Sequence, residues 1–118
     1  MLSIFNTNKS LEIDSKKVDE YQRIHRKYPD RIPVILRRTG KDTPEIDRNK
    51  YLVPKDITFS SFVGVIRQRL KMKPDQALFV MANNTLVNQT ELMSSVYSRH
   101  KCQEGFLLLD YSLESTFG

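Results

Sequence analysis

The sequence predicts an α+β fold, and three observations lead to that class. Apolar residues recur at helical spacing over residues 15–27 and 58–70. Short β-branched or apolar runs stand at residues 32–36, 50–54, 77–81 and 106–111. Proline, glycine or asparagine punctuates most junctions between them.

Residues 1–10 place Leu2, Ile4 and Phe5 before a polar cluster and read as a short helix or arm. From Asp14 or Ser15, Val18, Tyr21, Ile24 and Tyr28 recur at three- and four-residue steps, one apolar stripe on an amphipathic helix. Asp14 and Ser15 suit its cap. Pro29 stops it, because the ring pushes Tyr28 out of helical geometry. Ile32, Pro33, Val34, Ile35 and Leu36 read as a strand ahead of the turn Thr39, Gly40, Lys41. Lys50, Tyr51, Leu52, Val53 and Pro54 read as a second strand, which Pro54 ends or places at a sheet edge. Thr58 is the expected N-cap of a helix with Phe59, Phe62, Val63, Ile66 and Leu70 on one face and Arg67, Arg69 and Lys71 outside. Residues 77–81 give a third strand, and Asn83 and Asn84 supply the positive-φ residues of a tight turn. Leu92, Met93, Val96 and Tyr97 make a short helix, and residues 106–111 a last strand, the central one.

A strand hairpin, one long helix, then further strands folded against that helix is the β-grasp arrangement of ubiquitin-like proteins. The expected architecture is a four-stranded mixed sheet packed on a helix, with two additional N-terminal helices. The chain reads as a single domain over 1–118: a helical arm 1–29, a β-grasp body 30–111 and a flexible tail 112–118.

Composition narrows the function. A length of 118 residues suits one domain. The longest apolar run, Ala77 to Ala82, is too short for a membrane-spanning helix, and the polar, acid-broken first thirty residues suit no secretory signal. Cys102 is the sole cysteine, which excludes an internal disulfide and a multi-cysteine zinc site and suggests a cytosolic or nuclear setting. The net charge of +5 could suggest nucleic acid, but the excess is mild and spread over the first two thirds of the chain. No nucleic acid partner is expected.

Catalytic chemistry is not visible. His25 and His100 share no metal-ligand spacing with Cys102 and a carboxylate, and the four glycines never cluster into a phosphate loop. His100 and Cys102 are close in sequence, but an incidental loop thiol explains them better than a catalytic pair. Asp42, Glu45 and Asp47 sit among Lys41, Arg48 and Lys50, which favours local ion pairs over a cation site. No enzymatic activity, metal or cofactor is expected.

Three blocks are more specific: Lys27-Tyr-Pro-Asp-Arg-Ile-Pro-Val-Ile35, Lys50-Tyr-Leu-Val-Pro54 and the tail Tyr111-Ser-Leu-Glu-Ser-Thr-Phe-Gly118. With Phe62, Ile66-Arg67-Gln68-Arg69, Gln76-Ala77-Leu78-Phe79 and Asn83-Asn84, the chain resembles the autophagy-related eight family of ubiquitin-like modifiers, the GABA-receptor-associated protein type. The resemblance runs from about Glu20 to Gly118. It departs at the N terminus, where Leu11-Glu-Ile-Asp14 and Lys16-Lys17 replace a Phe-Glu-x-Arg run, and at Asp110, which enters an otherwise apolar strand.

The resemblance implies that Gly118 is activated by an ATP-using enzyme, passed to a conjugating enzyme and joined to phosphatidylethanolamine, with a cysteine protease as deconjugating partner. A terminal glycine has no Cβ and threads a narrow catalytic channel. Nothing follows Gly118, so no trimming is expected. The resemblance also implies strand addition by receptors carrying an aromatic-x-x-aliphatic motif. The aromatic pocket would be lined by Glu20, Ile24, Pro33, Ile35, Lys50, Leu52 and Phe106, and the aliphatic pocket by Tyr51, Val53, Pro54, Ile57, Phe62, Val65 and Ile66. Arg31, Arg48, Lys50 and Arg69 would form a basic rim. For Ile35, Val65, Ile66 and Phe106, plain core packing competes with that role. For Lys50, Tyr51 and Leu52 the edge position favours the groove. A monomer is expected, in the cytoplasm and, once lipidated, on autophagosomal or other organelle membranes. The alternative is an unconjugated ubiquitin-like adaptor binding peptide motifs or the cytoskeleton.

Overall fold

The computed structural model describes residues 15–113 of the chain. Along it run α1 (Ser15–Lys27), β1 (Arg31–Arg38), β2 (Lys50–Pro54), α2 (Phe59–Arg69), β3 (Phe79–Ala82), β4 (Thr85–Leu86), α3 (Met93–His100) and β5 (Leu107–Ser112). The strands form one mixed sheet in the order β2-β1-β5-β3-β4. β1 and β5 are parallel, with Val34 beside Leu107 and Arg38 beside Tyr111, and the other pairs are antiparallel. β5 is central, as its apolar run predicts, and β2 is an edge.

Among the described residues the sheet has five strands rather than the expected four. The additional one is β4, two residues folded back by Asn83 and Asn84, whose φ angles of 53° and 60° are those of a two-residue hairpin turn. Two residues carry no period, so sequence pattern does not show them. β3 begins at Phe79 rather than 77. Residues 73–76 are held to the end of α2 instead, because Arg67 donates to Lys73 O and Gln76 O, each at 2.9 Å. β1 extends beyond 32–36 because its ladder with β5 continues to Arg38.

One face of the sheet packs on α2 and α3. Thr58 caps α2 by accepting the Ser61 N–H at 3.2 Å. Phe59, Phe62 and Ile66 then enter a core with Ile32, Val34, Leu36, Val53, Val80, Met93, Val96, Leu107, Leu109 and Tyr111. The other face meets α1, where Tyr21 stands edge-on to Phe106 and stacks on His25. A Cβ on Gly105 would lie 2.5 Å from the Tyr21 ring, so this glycine, at φ +103°, lets the helix dock. Tyr28, expected to end the α1 stripe, lies past the helix and is exposed, since Pro29 turns the chain away.

Asp110, the anomaly of the last strand, is buried and accepts from Arg37 Nε at 2.7 Å and Nη2 at 3.2 Å. That pairing raises the Arg37 pKa and explains how a carboxylate sits in the sheet. Ser112 belongs to β5 and not to the tail. Of the two N-terminal helices expected, α1 is one; the other, over 1–10, and the tail from 114 lie outside the described residues.

Candidate functional site

The site is built on the free side of β2. Leu36 N–H donates to Asn49 O at 2.8 Å, and Lys55 N–H to Asp30 O at 3.4 Å. Bonded and non-bonded pairs alternate along an antiparallel ladder. Tyr51 and Val53 therefore turn their main-chain groups toward β1, while those of Lys50 and Leu52 point off the open edge. Pro54, next outward, has no N–H and ends this template. Arg31 Nη1 reaches Leu52 O at 3.5 Å, which places a guanidinium at the same edge.

The pleat sorts the side chains. Tyr51 and Val53 face α2: Val53 is in the core, and Tyr51 meets the Phe62 ring edge-on at 5.5 Å. Lys50 and Leu52 face α1. Lys50 Nζ pairs with Glu20 of that helix at 3.3 Å.

Between α1 and the hairpin lies a cavity of about 670 Å³. Ile24 and Glu20 of α1 form one wall, and Pro33, Ile35 and Phe106, all buried, lie on the sheet side. Lys50 and Leu52 come from the edge strand, so the seven residues named for an aromatic pocket meet in one place. Phe106 and Ile35 are both core-like and cavity-lining; burial by α1 and access from the groove coexist there. The cavity continues round the edge to Tyr51 and to Val65 of α2, which is 40% exposed. Val34 also lines it, a residue that alternation alone assigns to the core.

The residues named for an aliphatic pocket divide. Tyr51 and Val65 line the cavity, and Pro54 and Ile57 are half-buried nearby in sequence. Val53, Phe62 and Ile66, at 4%, 2% and 0% exposure, are core residues between β2 and α2 and do not line it. The long apolar face of α2 is used up in sealing the sheet.

Arg48, Lys50 and Arg69 border the cavity, and Arg31 stands at the edge outside it. Asp47 binds Arg69 through two bonds, 3.0 Å to Nε and 2.8 Å to Nη2. The Arg69 guanidinium holds the Asp47 carboxyl below its usual range, and the carboxylate raises Arg69 in turn. This partner lies at the end of α2, 22 positions away rather than next door in sequence, which is why the acidic loop alone suggests only local pairs. Arg48 has no ion-pair partner among the described residues. The Tyr51 hydroxyl is buried without a hydrogen-bond partner among the described residues, and burial pushes its pKa up.

Elsewhere the chemistry is quiet. Burial raises the Cys102 thiol, which lowers its thiolate fraction at neutral pH. His100 Nδ1 meets Asn83 Nδ2 at 3.1 Å rather than the thiol. No group of acids, histidines and cysteine able to hold a metal occurs among the described residues.

Comparison with known proteins agrees with this architecture. Residues 16–118 match the family model described as autophagy protein Atg8, ubiquitin like. The chain is 50% identical over 104 residues to autophagy-related protein 8d of Arabidopsis thaliana, covering 87% of each. It is 46% identical over 119 residues to autophagy-related protein 8 of Mycosarcoma maydis, covering 100% of this chain and 98% of that one. The crystal structure of Trypanosoma brucei ATG8 superposes with a TM-score of 0.82 at 34% identity, over 98% of this chain and 100% of that one. Plasmodium falciparum Atg8, solved in complex with a Plasmodium falciparum Atg3 peptide, superposes with a TM-score of 0.79 at 28% identity, over 86% and 90%. The chain belongs to the Atg8 family of autophagy ubiquitin-like proteins, which are modifiers and not enzymes.

Proposed function

We propose that this protein is joined through Gly118 to phosphatidylethanolamine, and that its β2 edge then recruits receptors carrying an aromatic-x-x-aliphatic motif. The observation that carries the docking half is the meeting of a strand edge, unpaired among the described residues, with an apolar cavity. Lys50 and Leu52 offer the outward main-chain groups to an incoming strand, and the cavity lies beside them. The aromatic side chain enters among Ile24, Pro33, Ile35, Leu52 and Phe106, with Glu20 and Lys50 at the mouth. The aliphatic one rests near Tyr51, Pro54, Ile57 and Val65, over support from Val53, Phe62 and Ile66.

The rim cations meet acids flanking the motif. Lys50 and Arg69 already hold Glu20 and Asp47, but these pairs are solvent-accessible and exchange for a receptor carboxylate at little cost. A short peptide covers little surface, so affinity is on the order of micromolar. The Plasmodium falciparum relative with its bound Atg3 peptide supports peptide recognition as a property of this fold.

No helix among the described residues is long and apolar enough to cross a membrane. Residence on the autophagosomal membrane in this reading depends on the two acyl chains of the conjugated lipid, which anchor stably where one chain binds marginally. Incubation with the activating and conjugating enzymes, ATP and phosphatidylethanolamine liposomes tests it. The wild type acquires a lipid mobility shift and Gly118→Ala does not. A wild type that stays unshifted is an unconjugated adaptor instead.

A further inference from the structure

The loop between β1 and β2 is sewn to the end of β5, the strand that leads to the terminal glycine. Tyr111 Oη donates to Pro44 O at 3.0 Å and accepts the Ile46 N–H at 2.9 Å. Thr39 donates to Tyr111 O twice, from its N–H at 2.9 Å and its Oγ1 at 3.2 Å. Arg38 Nη1 holds Thr43 O at 3.1 Å. Thr43 itself is 2% exposed, and its Oγ1 accepts the Leu113 N–H at 3.1 Å and lies 3.4 Å from Ser112 Oγ. A valine would fill the same volume without burying a hydroxyl, so packing alone does not call for threonine here. What the hydroxyl adds is a bond to the first amide beyond β5.

We propose that Thr43 is a positioning residue for the C-terminal glycine. Its hydroxyl tethers the chain at Leu113, five residues before Gly118. This rests on the reading of Gly118 as the conjugation site. Removing the hydroxyl releases Leu113 and lengthens the tether by one residue. An activating enzyme that grips the terminus must then order that residue, which raises KM by about fivefold. The cost falls equally on ground and transition states, so kcat is unchanged.

The test is ATP-dependent activation of the full chain, with KM and kcat measured separately, alongside hydrogen exchange of the Leu113 amide. Thr43→Val is expected to raise KM about fivefold and speed Leu113 exchange, while Thr43→Ser, which keeps the hydroxyl, behaves as wild type. A chain with one glycine inserted between Leu113 and Glu114 lengthens the tether without touching the loop, and its KM must rise similarly even if Thr43→Val fails to fold. Wild-type KM in the insertion chain, or in a folded Thr43→Val with accelerated Leu113 exchange, overturns the inference alone. A wild type that supports no activation removes the conjugation reading, and the inference with it.

Discussion

The two faces of the sheet are covered by helices of similar length and to opposite effect. α2 meets the sheet with Phe59, Phe62 and Ile66, at 0%, 2% and 0% exposure, and leaves a sealed core. α1 meets it with Tyr21 and Ile24, both only half-buried, and leaves a cavity of about 670 Å³. The difference is in the sequences. α2 carries wide apolar side chains at i, i+3 and i+7 behind a threonine cap; α1 carries a narrow stripe among charges. A sheet needs one well-covered face for stability, and the second is then free to keep a groove beside an open edge. In the proposed function, stability rests on the first face and recognition on the second.

Substitutions on each side test this division. Phe62→Ala opens a void in the sealed core and is expected to cost about 3–5 kcal/mol in denaturant unfolding. A loss under about 1 kcal/mol would mean that α2 is no more tightly packed than α1. Leu52→Ala, on the open side, is expected to cost less than about 2 kcal/mol of stability while weakening a receptor peptide roughly tenfold by calorimetry. Unchanged affinity argues against this edge as the docking site.

A third measurement concerns the groove's rim. Asp47 has a folded pKa below its unfolded one because of Arg69. Its pairing therefore supports the fold above the usual carboxylate range and is lost as pH falls through the lowered value. NMR titration of the Asp47 carboxyl should show a midpoint below the usual range that rises back toward it in Arg69→Gln. Equal midpoints in both proteins would detach Asp47 from the rim. The smallest effect is expected at Tyr51→Phe, which removes a buried hydroxyl with no partner among the described residues. Stability is expected to be unchanged or higher by up to about 1 kcal/mol, read from the same unfolding curves. A clear loss would reveal a partner for the phenol.

Most of the fold was legible locally. Thr58 followed by Phe59, Phe62 and Ile66 announces a capped, buried helix, and Asn83-Asn84 announces a tight turn. The cavity walls were legible only through resemblance, because nothing in the local pattern of Glu20 or Phe106 says that they meet. The same limit explains why Val53, Phe62 and Ile66 could be named as pocket lining. An apolar residue on the correct face of an element has the same pattern whether it lines a groove or fills a core.

Local sequence is enough to place the helices and the longer strands, to say which of their faces are apolar, and to have Pro54 end the strand Lys50–Pro54 or set it at a sheet edge. These follow from periods, caps and forbidden dihedrals within a few residues. The long-range pairings come from the fold as a whole: Asp110 with Arg37, Asp47 with Arg69, and Thr43 with Leu113. Their partners lie 73, 22 and 70 positions apart. No local rule joins them, because what brings them together is the placing of β5 between β1 and β3 and the packing of the β1–β2 loop against β5 and the end of α2. The charge in the last strand looked like an interruption of the core; in the folded chain it is one half of a pair.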